Sequence, residues 1–276
     1  MRLPEDPKID CHCHVLDPVH FPYNPAVAYH PTGQEIGTPT QMEALFDTHN
    51  VVHALLVQPN SGYGGDNSCM MSAIAANPRR YKGVAVVAND ISLDDLAQLK
   101  AQGIVGVAFN LTVNGIDYYL ATDSLLAKLN ELDLFLQLQF EKDQLLAIMP
   151  LLDRHRNRLL IDHCGRPTLE WGVEHPAFQT LLALGRDGRA HVKLSGFSKF
   201  SRHRHPYTDA LPFVEALIDA YTIDRCLWAS DWPYLRAPER LDFGPFVDLA
   251  HDMVPNPKDR AKFMWDNAYA LFGFGG

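Results

Sequence analysis

Eight short apolar runs recur along the chain, at residues 8–14, 53–58, 83–87, 105–111, 134–140, 159–164, 191–196 and 226–231. Each is five to seven residues long, and the runs are rich in Val, Ile, Leu and Phe. Runs of that length and make-up predict buried strands. Between them the apolar positions shift to three-and-four spacing. Residues 39–50 carry Met42, Leu45 and Phe46, and 67–77 carry Met70, Met71 and Ile74. The same period predicts helices over 93–101, 125–132, 145–155, 177–184, 212–221 and 259–272. Strands alternating with helices imply a parallel α/β sheet. Eight such units in 276 residues fit a closed (β/α)8 TIM barrel, one domain spanning 1–276, better than an open doubly wound sheet. No repeat, low-complexity tract or domain boundary interrupts the pattern. The longest irregular stretches, 18–39 and 199–211, follow strands that carry polar residues, so both are candidate lids.

Composition narrows the function classes. The net charge is −9, from 24 basic and 33 acidic residues. An acidic chain without basic runs is a poor nucleic-acid binder and a poor ligand for anionic membranes. No stretch approaches the roughly 18 apolar residues of a membrane span, and the first eight residues lack the apolar segment of a secretory signal. Five cysteines with no framework spacing, four of them (Cys11, Cys69, Cys164, Cys226) in or beside apolar runs, point to the reducing cytoplasm. The expected partner is a small molecule, and self-association is left open.

Barrel enzymes carry their chemistry at the C-terminal ends of strands. This chain ends its first predicted strand with His12 and His14, two residues apart and therefore on one face. His163 ends the sixth in Ile-Asp-His-Cys-Gly-Arg-Pro, and Asp231 ends the eighth in Ser-Asp-Trp-Pro. Any one of these could be a structural histidine or a loop-capping aspartate. As a set they match a catalytic constellation, in which a carboxylate deprotonates water while imidazoles hold a developing oxyanion or a metal. Arg166 and Lys199 are candidate anion contacts. Ser61, Tyr63, Asn110 and Gln139 are candidate polar groups of a substrate pocket. The glycines near Ser61 lack the Gly-Lys-Ser/Thr of a phosphate loop. His203 and His205, interleaved with Arg202 and Arg204, read as a charged loop, and His20, His30 and His49 as exposed or structural.

In these segments the chain resembles the amidohydrolase superfamily. Within it, the resemblance is to the 2-pyrone-4,6-dicarboxylate lactonases and related sugar lactonases. Leu-Val-Gln-Pro-Asn-Ser at 56–61, Gly-Asp-Asn at 65–67 and Asn-Ala-Tyr-Ala-Leu-Phe-Gly at 267–273 extend it over nearly the whole chain. The resemblance implies a distorted (β/α)8 barrel and hydrolysis of a cyclic ester of the kind met in aromatic catabolism. It implies that Asp231 activates water and that His12, His14 and His163 polarise the lactone carbonyl. It also implies either no required cofactor or one divalent ion, zinc or manganese, held by His12, His14, His163 and Asp231. Two departures stand out. The fourth strand lacks a bridging metal ligand and the fifth has Gln139 where the resemblance implies a histidine or tyrosine, so a binuclear centre is not expected. Ala108 stands where a carboxylate-binding arginine is expected, which favours a lactone less anionic than the dicarboxylate. The rival readings are a metal-dependent decarboxylase and a non-catalytic small-molecule-binding barrel.

Overall fold

A computed structural model describes residues 6–274. Most of the segment read as lacking a secretory signal, residues 1–5, lies outside the described residues. The strands are β1 (Lys8–Cys13), β2 (Val51–Val57), β3 (Tyr81–Ala85), β4 (Ile104–Asn110), β5 (Phe135–Gln139), β6 (Leu159–Ile161), β7 (Ala190–Leu194) and β8 (Cys226–Trp228). They form one eight-stranded sheet in strict sequence order, with helices between them. An open doubly wound sheet reverses its strand order at a switch point; a consecutive order is that of the (β/α)8 barrel.

By contacts the chain falls into two compact units. The first comprises the residues up to Val86, Gln102–Val105 and those from Trp228 onward; the second comprises Val87–Ala101 and Gly106–Leu227. In the first unit β1 is buried along its whole length and pairs in parallel with β2, which pairs with β3. Two helices, α1 (Pro39–Thr48) and α2 (Ser68–Ala76), follow β1 and β2. Thr38 caps α1 by accepting from the Gln41 N–H, and Pro39 sits at its first position, where a missing N–H costs nothing.

The second unit holds α3 (Leu93–Ala101), the single turn α4 (Leu111–Asn114), α5 (Asp123–Glu131), α6 (Gln144–His155), α7 (Pro176–Arg186) and α8 (Leu211–Tyr221). Here β4, β5, β6 and β7 pair in parallel, with Ala108 opposite Gln137 and Asn110 opposite Gln139. α7 shows how periodicity becomes packing. Phe178, Leu181 and Leu182 recur at helical spacing and are buried, each contributing about 1.5–3 kcal/mol relative to exposure.

The structure corrects the sequence expectations in three places. β6 stops at Ile161 and β8 at Trp228, so His163 and Asp231 lie just beyond their strands. The helix expected over 259–272 is α10 (Pro257–Ala261) and α11 (Asn267–Phe272), joined by a π turn at Lys262–Asp266. A further helix, α9 (Phe243–Met253), was not among the expected elements; it opens on Phe243, Gly244 and Pro245. The glycine and proline lie in its first turn, where backbone N–H groups have no intrahelical acceptor and proline is tolerated.

Candidate active site

The first unit brings His12, His14 and Asp231 together. Side chains alternate along β1, so Asp10, His12 and His14 share one face. All three are buried. The segment after β8 is laced onto β1: the Asp231 N–H donates to the His12 carbonyl at 2.8 Å and the His14 N–H to the Trp232 carbonyl at 2.8 Å. Asp231 itself takes a left-handed backbone, φ 64°, which a β-carbon-bearing residue seldom adopts. Its carboxylate Oδ1 lies 3.8 Å from His12 Nε2 and 3.7 Å from His14 Nε2.

The protonation of His14 follows from its other nitrogen. Nδ1 lies 2.7 Å from the Val57 carbonyl oxygen, which can only accept, so Nδ1 carries the proton. In the neutral ring Nε2 is then a lone-pair atom facing the Asp231 carboxylate. At 3.7 Å the two are too far apart for a direct hydrogen bond. They sit at the separation of two atoms that share a third group, such as a water. Ligands of a tetrahedral ion with bonds of about 2.0–2.2 Å also lie about 3.3–3.6 Å apart. Two imidazole nitrogens and a carboxylate are a donor set that suits a divalent ion, and the three residues are close enough to share one.

Beneath this rim lies a residue that sequence reading missed. The Asp10 carboxylate accepts from the Ser230 N–H at 2.9 Å, the Ser230 hydroxyl at 2.5 Å and the His12 N–H at 3.1 Å. It therefore clamps the residue before Asp231 and the backbone of His12 at once. Burial pushes its carboxyl up to about 6, against the lowering effect of these hydrogen bonds. The two-residue spacing from His12 was the available signal.

In the second unit His163 is buried and left-handed, φ 51°, with Nδ1 3.1 Å from the Ser195 hydroxyl. Gly196 packs flat against it: a β-carbon there would sit 2.4 Å from His163 Nδ1, so no other residue fits. Here too a buried polar layer lies on the inward face. Lys193 Nζ contacts Asp162 Oδ1 at 2.9 Å and donates to Gln137 Oε1 at 2.6 Å, while Gln137 Nε2 donates to Asp162 Oδ2 at 2.8 Å. Lys193 is wholly buried. A lysine inside an apolar strand was its sequence signal, since lysine is almost never buried unpaired.

The remaining candidates fall in several places. Gln139 and Asn110 meet through Thr112 at the ends of β5 and β4. Arg166 is half-buried and ion-paired with Glu141 at 3.2 Å. Lys199 ends a short turn whose N–H bonds the Gly196 carbonyl. Tyr63 is buried with its hydroxyl accepting from the Asp17 N–H at 2.9 Å, and so ties the loop after β2 to the loop after β1. Ser61 is half-buried in that same loop. Among the described residues His20 and His30 are exposed and His49 is buried against Phe243.

The amidohydrolase family model matches residues 9–274. The chain belongs to the amidohydrolase family. The 4-sulfomuconolactone hydrolase of Rhizobium radiobacter is 30% identical over 272 residues, 96% of this chain and 89% of the relative. The 2-pyrone-4,6-dicarboxylate hydrolase of Comamonas testosteroni is 27% identical over 278 residues, covering 96% and 89%. The solved structure of a Pseudomonas putida protein assigned as a 2-pyrone-4,6-dicarboxylic acid hydrolase matches this amidohydrolase with a TM-score of 0.87 at 26% identity, over 100% of both chains. The 2,6-dihydroxybenzoate decarboxylase from Rhizobium is more distant, with a TM-score of 0.67 and 14% identity over 98% of this chain and 100% of that one. It shares the fold. Among the described residues no helix is long and apolar enough to cross a membrane.

Proposed function

We propose that this amidohydrolase opens a small lactone by adding water. The observation that carries the proposal is the buried set His12, His14 and Asp231, with the tautomer of His14 fixed by the Val57 carbonyl. Asp231 takes a proton from water, and the hydroxide attacks the lactone carbonyl carbon. His12 stabilises the tetrahedral oxyanion, while His14 Nε2, a lone-pair atom in its fixed tautomer, accepts from the attacking water. His163, just beyond β6 in the second unit, is a further candidate oxyanion donor. The ring C–O bond then breaks, and the departing alcohol or enol oxygen takes the proton back from Asp231. His12, His14 and Asp231 would hold one divalent ion of the zinc or manganese type, which when bound supplies electrophilic polarisation of the carbonyl. Ser61 and Tyr63 of the first unit, and Asn110, Gln139, Arg166 and Lys199 of the second, are the candidate substrate contacts.

Lactone hydrolysis is favoured by the relatives' activities as named, over similar lengths of chain. The test is acid release from a panel of 2-pyrone-4,6-dicarboxylate, monocarboxylated pyrones, muconolactones and aldonolactones. Carbon dioxide release without water addition would instead make the protein a decarboxylase.

A further inference from the structure

The wall at the ends of β4 and β5 has a fixed hydrogen-bond direction. A backbone N–H can only donate, so the Val113 N–H, 3.2 Å from Asn110, fixes the acceptor there as Asn110 Oδ1. The Thr112 hydroxyl lies 2.7 Å from that same oxygen and must therefore donate to it. Its oxygen is left to accept from Gln139 at 3.1 Å, so the donor must be Gln139 Nε2. The orientation of the Gln139 amide is thus set, through two side chains, by one backbone N–H. Gln139 Oε1 accepts from no group among the described residues.

The direction of the Gln139 side chain follows from strand alternation. Gln137 points inward, because it meets Lys193 and Asp162 on β7 and just beyond β6. Gln139 is two residues on, so it shares the inward face one layer nearer the C-terminal end. It is half-buried there, opposite Asn110, with Ala108 opposite Gln137. This stretch of wall is neutral. The Arg166 guanidinium, the candidate anion contact after β6, is ion-paired with Glu141.

We infer that Gln139, held by the Val113–Asn110–Thr112 relay, is a specificity-determining residue that accepts a hydrogen bond from a substrate hydroxyl. The substrate class is a hydroxylated lactone of the aldonolactone type. A carboxylate facing Oε1 would set acceptor against acceptor, and the relay prevents the amide from turning its Nε2 to that side. This inference rests on the lactone-hydrolase reading of the site.

The test is binding measured apart from turnover. Dissociation constants are taken by calorimetry in Asp231→Asn for an aldonolactone, its singly deoxygenated counterparts and 2-pyrone-4,6-dicarboxylate. The hydroxylated lactone is expected to bind about 10-fold tighter than one deoxy counterpart, the share of one neutral hydrogen bond. Gln139→Met should abolish that ratio, and Thr112→Val should reduce it by freeing the amide to turn. Unfolding temperatures check that each variant is folded. Equal binding of the hydroxylated lactone and all deoxy forms overturns the inference. So does tighter binding of the dicarboxylate, a ratio unmoved by Gln139→Met, or no binding of any lactone. Turnover by the unsubstituted protein is measured in parallel. Its absence on every lactone, with the binding ratio intact, counts against hydrolysis and not against Gln139.

Discussion

Asp231 and His163 both hold left-handed backbones, at φ 64° and 51°. Outside glycine that conformation costs about 1–2 kcal/mol per residue, and such strain persists only where the surroundings enforce it. At Asp231 they do: the preceding Ser230 is gripped by Asp10 and the Asp231 N–H by the His12 carbonyl. Asp231→Asn keeps the shape and removes the base. It is expected to lower kcat for lactone opening by about 10²- to 10⁴-fold with little change in unfolding temperature. Ser230→Ala removes the hydroxyl from the Asp10 clamp. The expectation is a loss of about 1–3 kcal/mol in denaturant unfolding, together with reduced kcat. The rim residues were legible because a His-X-His pair and a strand-end carboxylate are chemically conspicuous. Asp10 was not singled out, because its two-residue spacing from His12 shows only the face it shares and not what it binds. Its meaning comes from Ser230, 220 residues away.

Elements carry the polar layers beneath the rims. β7 places Lys193 against Asp162 and Gln137 with no exposure. Removing one partner of such a buried pair leaves the other charge uncompensated. Lys193→Met is therefore expected to cost about 3–5 kcal/mol, and adding Asp162→Asn should restore much of it. Chemical denaturation of the single and double variants checks this. At the other end of the same strand, burial, helped by Arg225 and Arg158, holds His191 down at about 4. An unfolded histidine titrates near 6.5. Between those values the unfolded chain binds a proton that the folded one refuses. The stability from a neutral His191 is thus complete above about pH 6.5 and is lost as the pH falls toward 4. It amounts to at most about 3 kcal/mol. His191→Leu should flatten stability between pH 7.5 and 5, and an unchanged pH slope would contradict the assignment. The elements themselves were largely legible from hydrophobic period. α9 was not, because glycine and proline in a first turn are also the residues that mark loops.

At the scale of the molecule, each compact unit builds the same arrangement: a polar rim over a buried ionisable layer. In one, Asp10 and Ser230 underlie His12, His14 and Asp231; in the other, Gln137, Asp162 and Lys193 underlie Gln139 and the strand end that carries His163. The (β/α)8 class was legible because alternating strand and helix periods admit few topologies. The substrate was less so, because a relay such as Val113–Asn110–Thr112–Gln139 depends on which atom of each amide faces which neighbour. The donor set of His12, His14 and Asp231 also makes a whole-molecule prediction. Added zinc or manganese should raise the unfolding temperature, by about 2.7 kcal/mol of stability at a hundredfold excess over the dissociation constant, and His14→Asn should abolish the rise. The most direct measurement of the central claim is acid release from the lactone panel by the purified protein beside Asp231→Asn. The account predicts ring opening of at least one lactone, with incorporation of one water, that falls at least about 100-fold in the variant. Turnover undiminished in Asp231→Asn, or no opening of any lactone, would contradict it.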